Sequence, residues 1–277
     1  MNKVWFITGA ARGLGAAIAR AALADGDRVV VSGRRTEPLQ HAFADYGERV
    51  LAVPLDVSDE AQALAAVEAA VARFGRIDVL VNNAGYGQLA PFEDNFSQDA
   101  ERQFATNVFG VLHVCRAVLP VMRRQRSGRV FNLSSMGGVL GMGGAALYCA
   151  SKFAVEGFSE SLAQEVAPFG IKVTLVEPGV FRTDFLDPSS AVFGARALED
   201  YAGFTAKVKA ASAAGNHLQT GSPEKLGAAL VHLASHEQPP LRYLAGSDAY
   251  QQVSAKLKAM LAQIEEWREL TCSTDGA

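Results

Sequence analysis

Tyr148 and Lys152 lie four apart in the run Tyr148-Cys149-Ala150-Ser151-Lys152. In a segment whose pattern is helical, that spacing puts phenol and ammonium on one face. A tyrosine in water titrates near pH ~10 and a lysine near ~10.4. A fixed cation beside the phenol stabilises its anion, so the pairing predicts a tyrosine pKa drawn down toward the working range. Such a group passes a proton to an alkoxide or takes one from an alcohol. The same spacing also serves an ordinary amphipathic helix with a half-buried ring beside a solvated charge, so the chemistry rests on what surrounds the pair. Ser135 follows an apolar run ending in Ser134 and stands thirteen residues before Tyr148. If that run is a strand with the tyrosine helix returning beside it, the two hydroxyls converge on one carbonyl oxygen. Asn107 falls in the middle of a long helical pattern, where Asn is a poor helix former. That position calls for an amide.

The elements that must hold these groups alternate along the chain. Short β-branched or apolar runs (Val4 to Thr8, Arg28 to Ser32, Val50 to Pro54, Val79 to Val81, Val130 to Ser134, Val173 to Glu177) predict strands. Between them, Leu14 to Asp25, Asp59 to Phe74, Ser97 to Arg124, Tyr148 to Ala167 and Ser222 to Ser235 are long enough for crossover helices. Strand and helix in alternation, joined by right-handed crossovers, predict a doubly wound, mostly parallel α/β sheet of Rossmann type, covered on both faces. No linker, repeat or low-complexity tract divides the chain. The expected organisation is one domain over 1–246, with a substrate lid at 184–220, followed by a helical extension at 247–277. Phe181, Phe185, Leu186, Phe193, Tyr201 and Phe204 make that lid apolar, suited either to an apolar carbonyl compound or to anchoring on the core. In the extension, Val253, Leu257, Met260, Leu261, Ile264 and Trp267 form a helical stripe. It predicts a helix packed on the body, or one facing another subunit.

After the first strand comes Thr8-Gly9-Ala10-Ala11-Arg12-Gly13-Leu14-Gly15, a glycine turn opening a helix. Bare backbone there can approach a pyrophosphate, and the helix N-terminus attracts its charge. A plain tight turn would use the same glycines. The second strand leads into Gly33-Arg34-Arg35, where a dinucleotide site of the NAD type offers an acid to the ribose. Guanidinium groups instead suit a 2′-phosphate, so Arg34, with Arg12 as a second clamp, predicts NADP, and Arg35 is expected in solvent. Asp56 after the third strand either accepts from the adenine amino group or caps the helix starting near Ser58. Asn82-Asn83-Ala84-Gly85 ends the fourth strand, with small residues for ribose approach and amides to tie strands together, or as a simple turn.

Composition narrows the class. The chain has 277 residues, 49% of them hydrophobic, and carries a formal charge of -3, which supports a large core and supplies no basic field for nucleic acid. No leader and no stretch of about 18 uninterrupted apolar residues is apparent, so a cytoplasmic protein without membrane contact is expected. Cys115, Cys149 and Cys272 are an odd number without ligand spacing, which argues against a disulfide framework and a metal site. Cys149 reads as a small apolar filler.

The glycine turn, the Asn-Asn-Ala-Gly run, Asn107, Ser135 and the Tyr-x-x-x-Lys pair occur in the order that resembles the short-chain dehydrogenase/reductase family, in its classical, NADP-preferring subgroup. The resemblance runs over residues 3–246. It implies an oxidoreductase moving hydride between NADP(H) and a carbonyl or secondary alcohol, acting as a ketone or aldehyde reductase without a metal. The implied catalytic set is Asn107, Ser135, Tyr148 and Lys152. The implied cofactor contacts are Thr8, Gly9, Arg12, Gly13, Leu14, Gly15, Arg34, Asp56, Val57, Asn83, Ala84, Gly85, Tyr148, Lys152, Pro178, Gly179 and Thr183, the last near the nicotinamide carboxamide. Lys152 would bind ribose and lower the tyrosine pKa, while Asn107 would organise a water-linked proton relay. A hydrophobic small-molecule substrate and a homodimer or homotetramer built on the helices at 97–124 and 148–167 are further expectations. The alternative from another class is a catalytically silent nicotinamide-binding regulator on the same fold.

Overall fold

The computed structural model describes residues 2–187, 190–194 and 196–276. Its first strand, β1 (Val4–Ile7), is buried on both faces, with Val4 and Phe6 facing one side and Trp5 and Ile7 the other. That is why it reads as an unbroken apolar run. The sheet continues through β2 (Arg28–Gly33), β3 (Val50–Pro54), β4 (Val79–Asn82), β6 (Gly128–Leu133), β7 (Ile171–Pro178) and β9 (Arg242–Ala245). Its order is β3-β2-β1-β4-β6-β7-β9, seven strands paired in parallel. The chain winds outward from β1 to β3 and then crosses to β4 on the other side of β1. The reversal opens a crevice beyond the carboxyl ends of β1 and β4, where ligands bind in such sheets.

Parallel pairing demands crossovers, and the helices supply them. On one face lie α3 (Glu60–Phe74), α5 (Gly110–Gln125) and α6 (Ala146–Val166); on the other, α1 (Gly13–Ala24), the short α2 (Glu37–Ala42) and α8 (Pro223–Ser235). Their ends follow local chemistry. The Asp59 carboxylate accepts from the Gln62 N–H to open α3, which closes on Gly75 at φ 76. Ser222 caps α8 with Pro223 in its first turn. A Cβ on Gly227 of α8 would stand 2.8 Å from the Ala17 carbonyl oxygen, so the missing side chain sets how closely α1 and α8 pack.

Several elements depart from the expectations. The predicted helix from Ser97 is α4 (Ser97–Phe104) and α5 joined by a π-helical turn at Ala105–Phe109, which contains Asn107. This 97–125 segment is long and apolar enough to cross a membrane by length and composition, yet Val111, Val114, Val118 and Met122 are packed in the core. The region expected as an irregular lid holds a strand, β8 (Ala191–Phe193), paired with β5 (Gly87–Leu89). It also holds a helix, α7 (Ala202–Gly215), with none of its described residues buried. The expectation of a C-terminal helix packed on the body fails along most of its length. In α9 (Ser247–Glu266) only Ala249 and Val253 are buried, and every described residue from 255 on, through α10 (Arg268–Cys272), is exposed.

Candidate active site

The glycine turn is built by its partner strand as much as by its own sequence. Gly9 at φ 64 and Gly13 at φ 58 occupy the left-handed region that L side chains avoid. A Cβ on Gly9 would also stand 2.9 Å from Ala84 Cα. The Thr8 hydroxyl accepts the backbone N–H groups of Asn83 and Ala84, each at 3.0 Å. In return the Asn83 amide donates to the carbonyls of Thr8 (2.9 Å) and Gly9 (3.1 Å). Gly15 leaves room for that amide, since a Cβ there would come within 2.5 Å of Asn83 Nδ2. Thr8, Gly9, Gly15, Asn83 and Ala84 therefore hold one another, and part of their pattern is architecture rather than ligand contact.

What remains open is the N-terminus of α1. Its N-cap is Arg12, whose side chain makes no capping hydrogen bond, so the first-turn N–H groups of Gly13, Leu14 and Gly15 are placed to receive an anion. Arg12 itself reaches across to Ser190 Oγ at 2.7 Å, a contact that a phosphate-clamping role would have to exchange. Arg34 and Arg35 are both exposed just beyond β2. The alternative left open for Asp56 resolves against helix capping. Asp56 accepts from the Ser58 N–H (3.0 Å) and hydroxyl (2.6 Å), while Asp59 caps α3. Val57 is buried against Gly110, and its carbonyl accepts from His113 Nδ1 at 3.1 Å. Asn82 points into the protein and donates to Asn132 Oδ1 at 2.8 Å, tying β4 to β6.

At the carboxyl end of β6, Ser135 accepts from the Gly137 N–H at 3.0 Å, and its hydroxyl lies near enough to the Tyr148 phenol to favour the phenolate. The two oxygens do converge. Tyr148 is 7% exposed and lies against Phe185, ring centroids 5.7 Å apart. Lys152 Nζ donates to the Leu133 carbonyl at 2.7 Å and sits 5.8 Å from the Tyr148 ring centroid. The expected lowering of the tyrosine pKa is overturned here. Burial pushes the phenol up to about 12, more than the Ser135 hydrogen bond brings it down, and burial pulls Lys152 down to about 8 against the charge of Glu156. Spacing reveals that two groups share a face; it does not reveal that both are removed from water. The phenol accordingly carries its proton at neutral pH.

Asn107 lies in the π-helical turn and is buried. Its Oδ1 accepts from the Tyr86 N–H (3.1 Å), and its Nδ2 donates to the Tyr86 carbonyl (3.0 Å) and to Ser151 Oγ (3.2 Å). The amide clamps the loop after β4 onto α6, which places Gly85 between Asn107 and Lys152: a Cβ there would meet Oδ1 at 3.2 Å and Nζ at 3.8 Å. At the end of β7, Pro178 leads to Gly179, where a Cβ would stand 2.2 Å from Asp248 Oδ2, the atom that accepts the Val180 N–H. Gly179 thus answers to α9 as well as to the crevice. Thr183 approaches Gly13, with its Cβ 3.6 Å from where a Gly13 Cβ would be. Thr8, Gly9, Gly15, Asn83 and Ala84 are thereby joined at the glycine turn, Gly85, Asn107 and Lys152 beside it, and Gly13 with Thr183, while Arg34, Asp56 and Val57 lie apart from these contacts.

Sequence reading missed a charged group below this site. Glu156, one turn beyond Lys152 on α6, is buried and ion-paired with Arg242 of β9, which also holds Glu160 and, at 3.1 Å, Glu177. Burial, opposed by Ser134 and Arg242, pushes the Glu156 carboxyl up to about 7. The i, i+4 step from Lys152 was its only signal. Asp184, Asp187 and His217 also lie within 4.8 Å of one another at the surface; no second feature marks that cluster as a metal site.

The family model for short chain dehydrogenases matches residues 3–191. A 3-ketodihydrosphingosine reductase of Bacteroides thetaiotaomicron is 38% identical over 94% of this chain and 93% of its own length. Among solved structures, a short-chain dehydrogenase from Streptomyces avermitilis is 42% identical with a TM-score of 0.91, covering 100% of both chains. A 3-ketoacyl-(acyl-carrier-protein) reductase from Brucella melitensis, complexed with NADH, is 29% identical with a TM-score of 0.74, over 89% of this chain and 97% of that one.

Proposed function

Since the chain belongs to the short-chain dehydrogenase/reductase family of oxidoreductases, we propose that it moves a hydride between NADP(H) and a carbonyl compound or secondary alcohol, working as a ketone or aldehyde reductase. The observation that carries this reading is the Ser135 hydroxyl beside the buried Tyr148 phenol, with buried Lys152 on the same helix. When bound, the nicotinamide supplies the hydride. The protein's own groups do the rest. Ser135 donates to the substrate oxygen, and Tyr148, a phenol at neutral pH, delivers the proton that the developing alkoxide needs. In a site from which water is excluded, the two donors stabilise that charge more than they would in water. Asn107 holds Ser151 and the loop at Tyr86, and so keeps α6 and the loop after β4 in register.

The residues available for the cofactor fit it. The first-turn N–H groups of α1 would receive the pyrophosphate, Gly85 and Lys152 would hold the nicotinamide ribose, and Asp56 and Val57 would serve the adenine end. Pro178, Gly179 and Thr183 would hold the nicotinamide end. The preference for NADP rests on Gly33-Arg34 standing where an acid would repel a 2′-phosphate. The substrate is hydrophobic: Leu89, Met142, Ala145, Cys149 and Phe185 surround Tyr148, and Phe204 of α7 lies over Gly143 and Gly144. The similarity to a protein named as a 3-ketodihydrosphingosine reductase supports a ketone as substrate. Exposed Phe109 and Phe153 support subunit contact through the helices at 97–125 and 146–166. The test is a panel of fatty, aromatic and polycyclic ketones assayed with NADPH and NADH. Ketone-dependent oxidation, faster with NADPH, is expected; binding of either nucleotide without turnover on any ketone would overturn the enzymatic reading.

A further inference from the structure

A buried ammonium is costly unless a charge answers it, and Lys152 is buried with a neutral group, the Leu133 carbonyl, as its hydrogen-bond acceptor. The elements around it are mostly neutral too. The loop after β4 brings Gly85, with Asn107 of the π-helical turn beside it, and its own helix brings Tyr148 one turn back. Glu156, one turn on, supplies the charge that acts on Lys152. That carboxylate is fixed from the other sides. It is ion-paired with Arg242 of β9, which also holds Glu160 of α6 and Glu177 of β7. Three acids thus share one guanidinium, so the cluster keeps negative charge to direct at Lys152. Glu156 also presses on the turn at Met136–Gly138, where a Cβ on Gly138 would stand 3.0 Å from its Cγ and 3.1 Å from its Oε1. The same turn gives the Gly137 N–H to Ser135 Oγ.

We propose that Glu156 is a positioning residue for the reaction: held between Arg242 and the turn that aims Ser135, it supplies the counter-charge that keeps Lys152 an ammonium beside Tyr148. This rests on Tyr148 as the proton donor, since the phenolate left when its proton passes to the alkoxide is what the ammonium stabilises. The titrations agree in sign. Burial draws Lys152 down to about 8 and the charge of Glu156 opposes that fall, while Glu156, raised to about 7, gains its charge just below the pH at which Lys152 loses its own. In full-length protein labelled with carbon-13 lysine, the Lys152 ε-carbon resonance, identified by its loss in Lys152→Met, reports the ammonium without turnover. Glu156→Gln is expected to lower its midpoint by about one pH unit or more, and Glu156→Asp, which keeps the charge, to bring it back toward the wild-type value. The double variant Glu156→Gln with Arg242→Met removes both charges of the buried pair, a change such pairs often tolerate, and should show the same fall. In ketone reduction the basic limb of the kcat profile should move down with the midpoint. A shifted midpoint in a protein that turns over no ketone supports this placement of charge and overturns the reductase reading alone. The proposal is overturned if Lys152 titrates at the same pH in the wild type and both neutral variants, or if kcat falls equally at every pH while the midpoint stays, as a purely structural acid would have it.

Discussion

Tyr148 works under a tension that its neighbours create. Removal from water raises the phenol and lowers the Lys152 ammonium, so the site holds a proton ready on oxygen and a cation that gives up its charge more easily than in solvent. For reduction that is the useful state, because the proton is what the alkoxide takes. Tyr148→Phe removes it while keeping the ring against Phe185. Turnover should fall by about 10²-fold or more, with NADPH still bound in a fluorescence titration; near-normal kcat would reject the role of Tyr148. Arg34 makes a different kind of claim, since it lies in solvent and its charge is felt only by a phosphate brought next to it. Arg34→Asp is expected to raise KM for NADPH by more than tenfold and to leave KM for NADH little changed. Equal effects on the two would refute the 2′-phosphate contact.

Elements meet at this site through single residues whose work is hidden in the sequence. Thr8 ends β1 and accepts two N–H groups from the end of β4, which makes it the joint of the crevice rather than only a cofactor contact. Thr8→Val keeps shape and removes the acceptor. Stranding two mostly buried donors should cost about 1–3 kcal/mol, read as a lower midpoint in urea with unchanged slope. The π-helical turn at Ala105–Phe109 has the same character. Its position was visible only as an awkward Asn in a helix; the widened turn and the capture of Tyr86 and Ser151 appear once α4, α5 and α6 pack together.

Across the whole molecule, β9 at the sheet edge reaches the catalytic helix through Arg242. One partly exposed guanidinium offsets three carboxylates, of which Glu156 and Glu177 are buried. Both buried acids have raised pKa values, chiefly from burial. A carboxyl raised in the folded state contributes stability that is full below its unfolded pKa of 4.5 and is lost as pH rises through its folded value, about 7 for Glu156. Arg242→Met raises the folded values further. The variant should therefore lose about 3 kcal/mol at pH 8, the lower end for breaking a buried pair because water reaches Arg242, and much less at pH 5. Urea unfolding at the two pH values checks this; an equal loss at both would show that the acids do not titrate with folding. The same scale includes α9, tied to the body by Asp248 at Gly179 and Val180 and by the buried Ala249 and Val253, and otherwise bare.

By itself the sequence determined the alternation of strand and helix, the glycine turn, and the placing of Ser135, Tyr148 and Lys152, because these rest on periodicity, on backbone freedom and on spacing within one element. It could not show which strands were neighbours at the sheet edge, so β5, β8 and β9, short and partly exposed, passed unread, and with them Arg242. Nor could it show solvent exclusion, which reversed the expected direction for the tyrosine. Only tertiary packing decides how much water a group keeps, and that quantity set the proton on Tyr148, the charge on Glu156 and the bareness of the last helix.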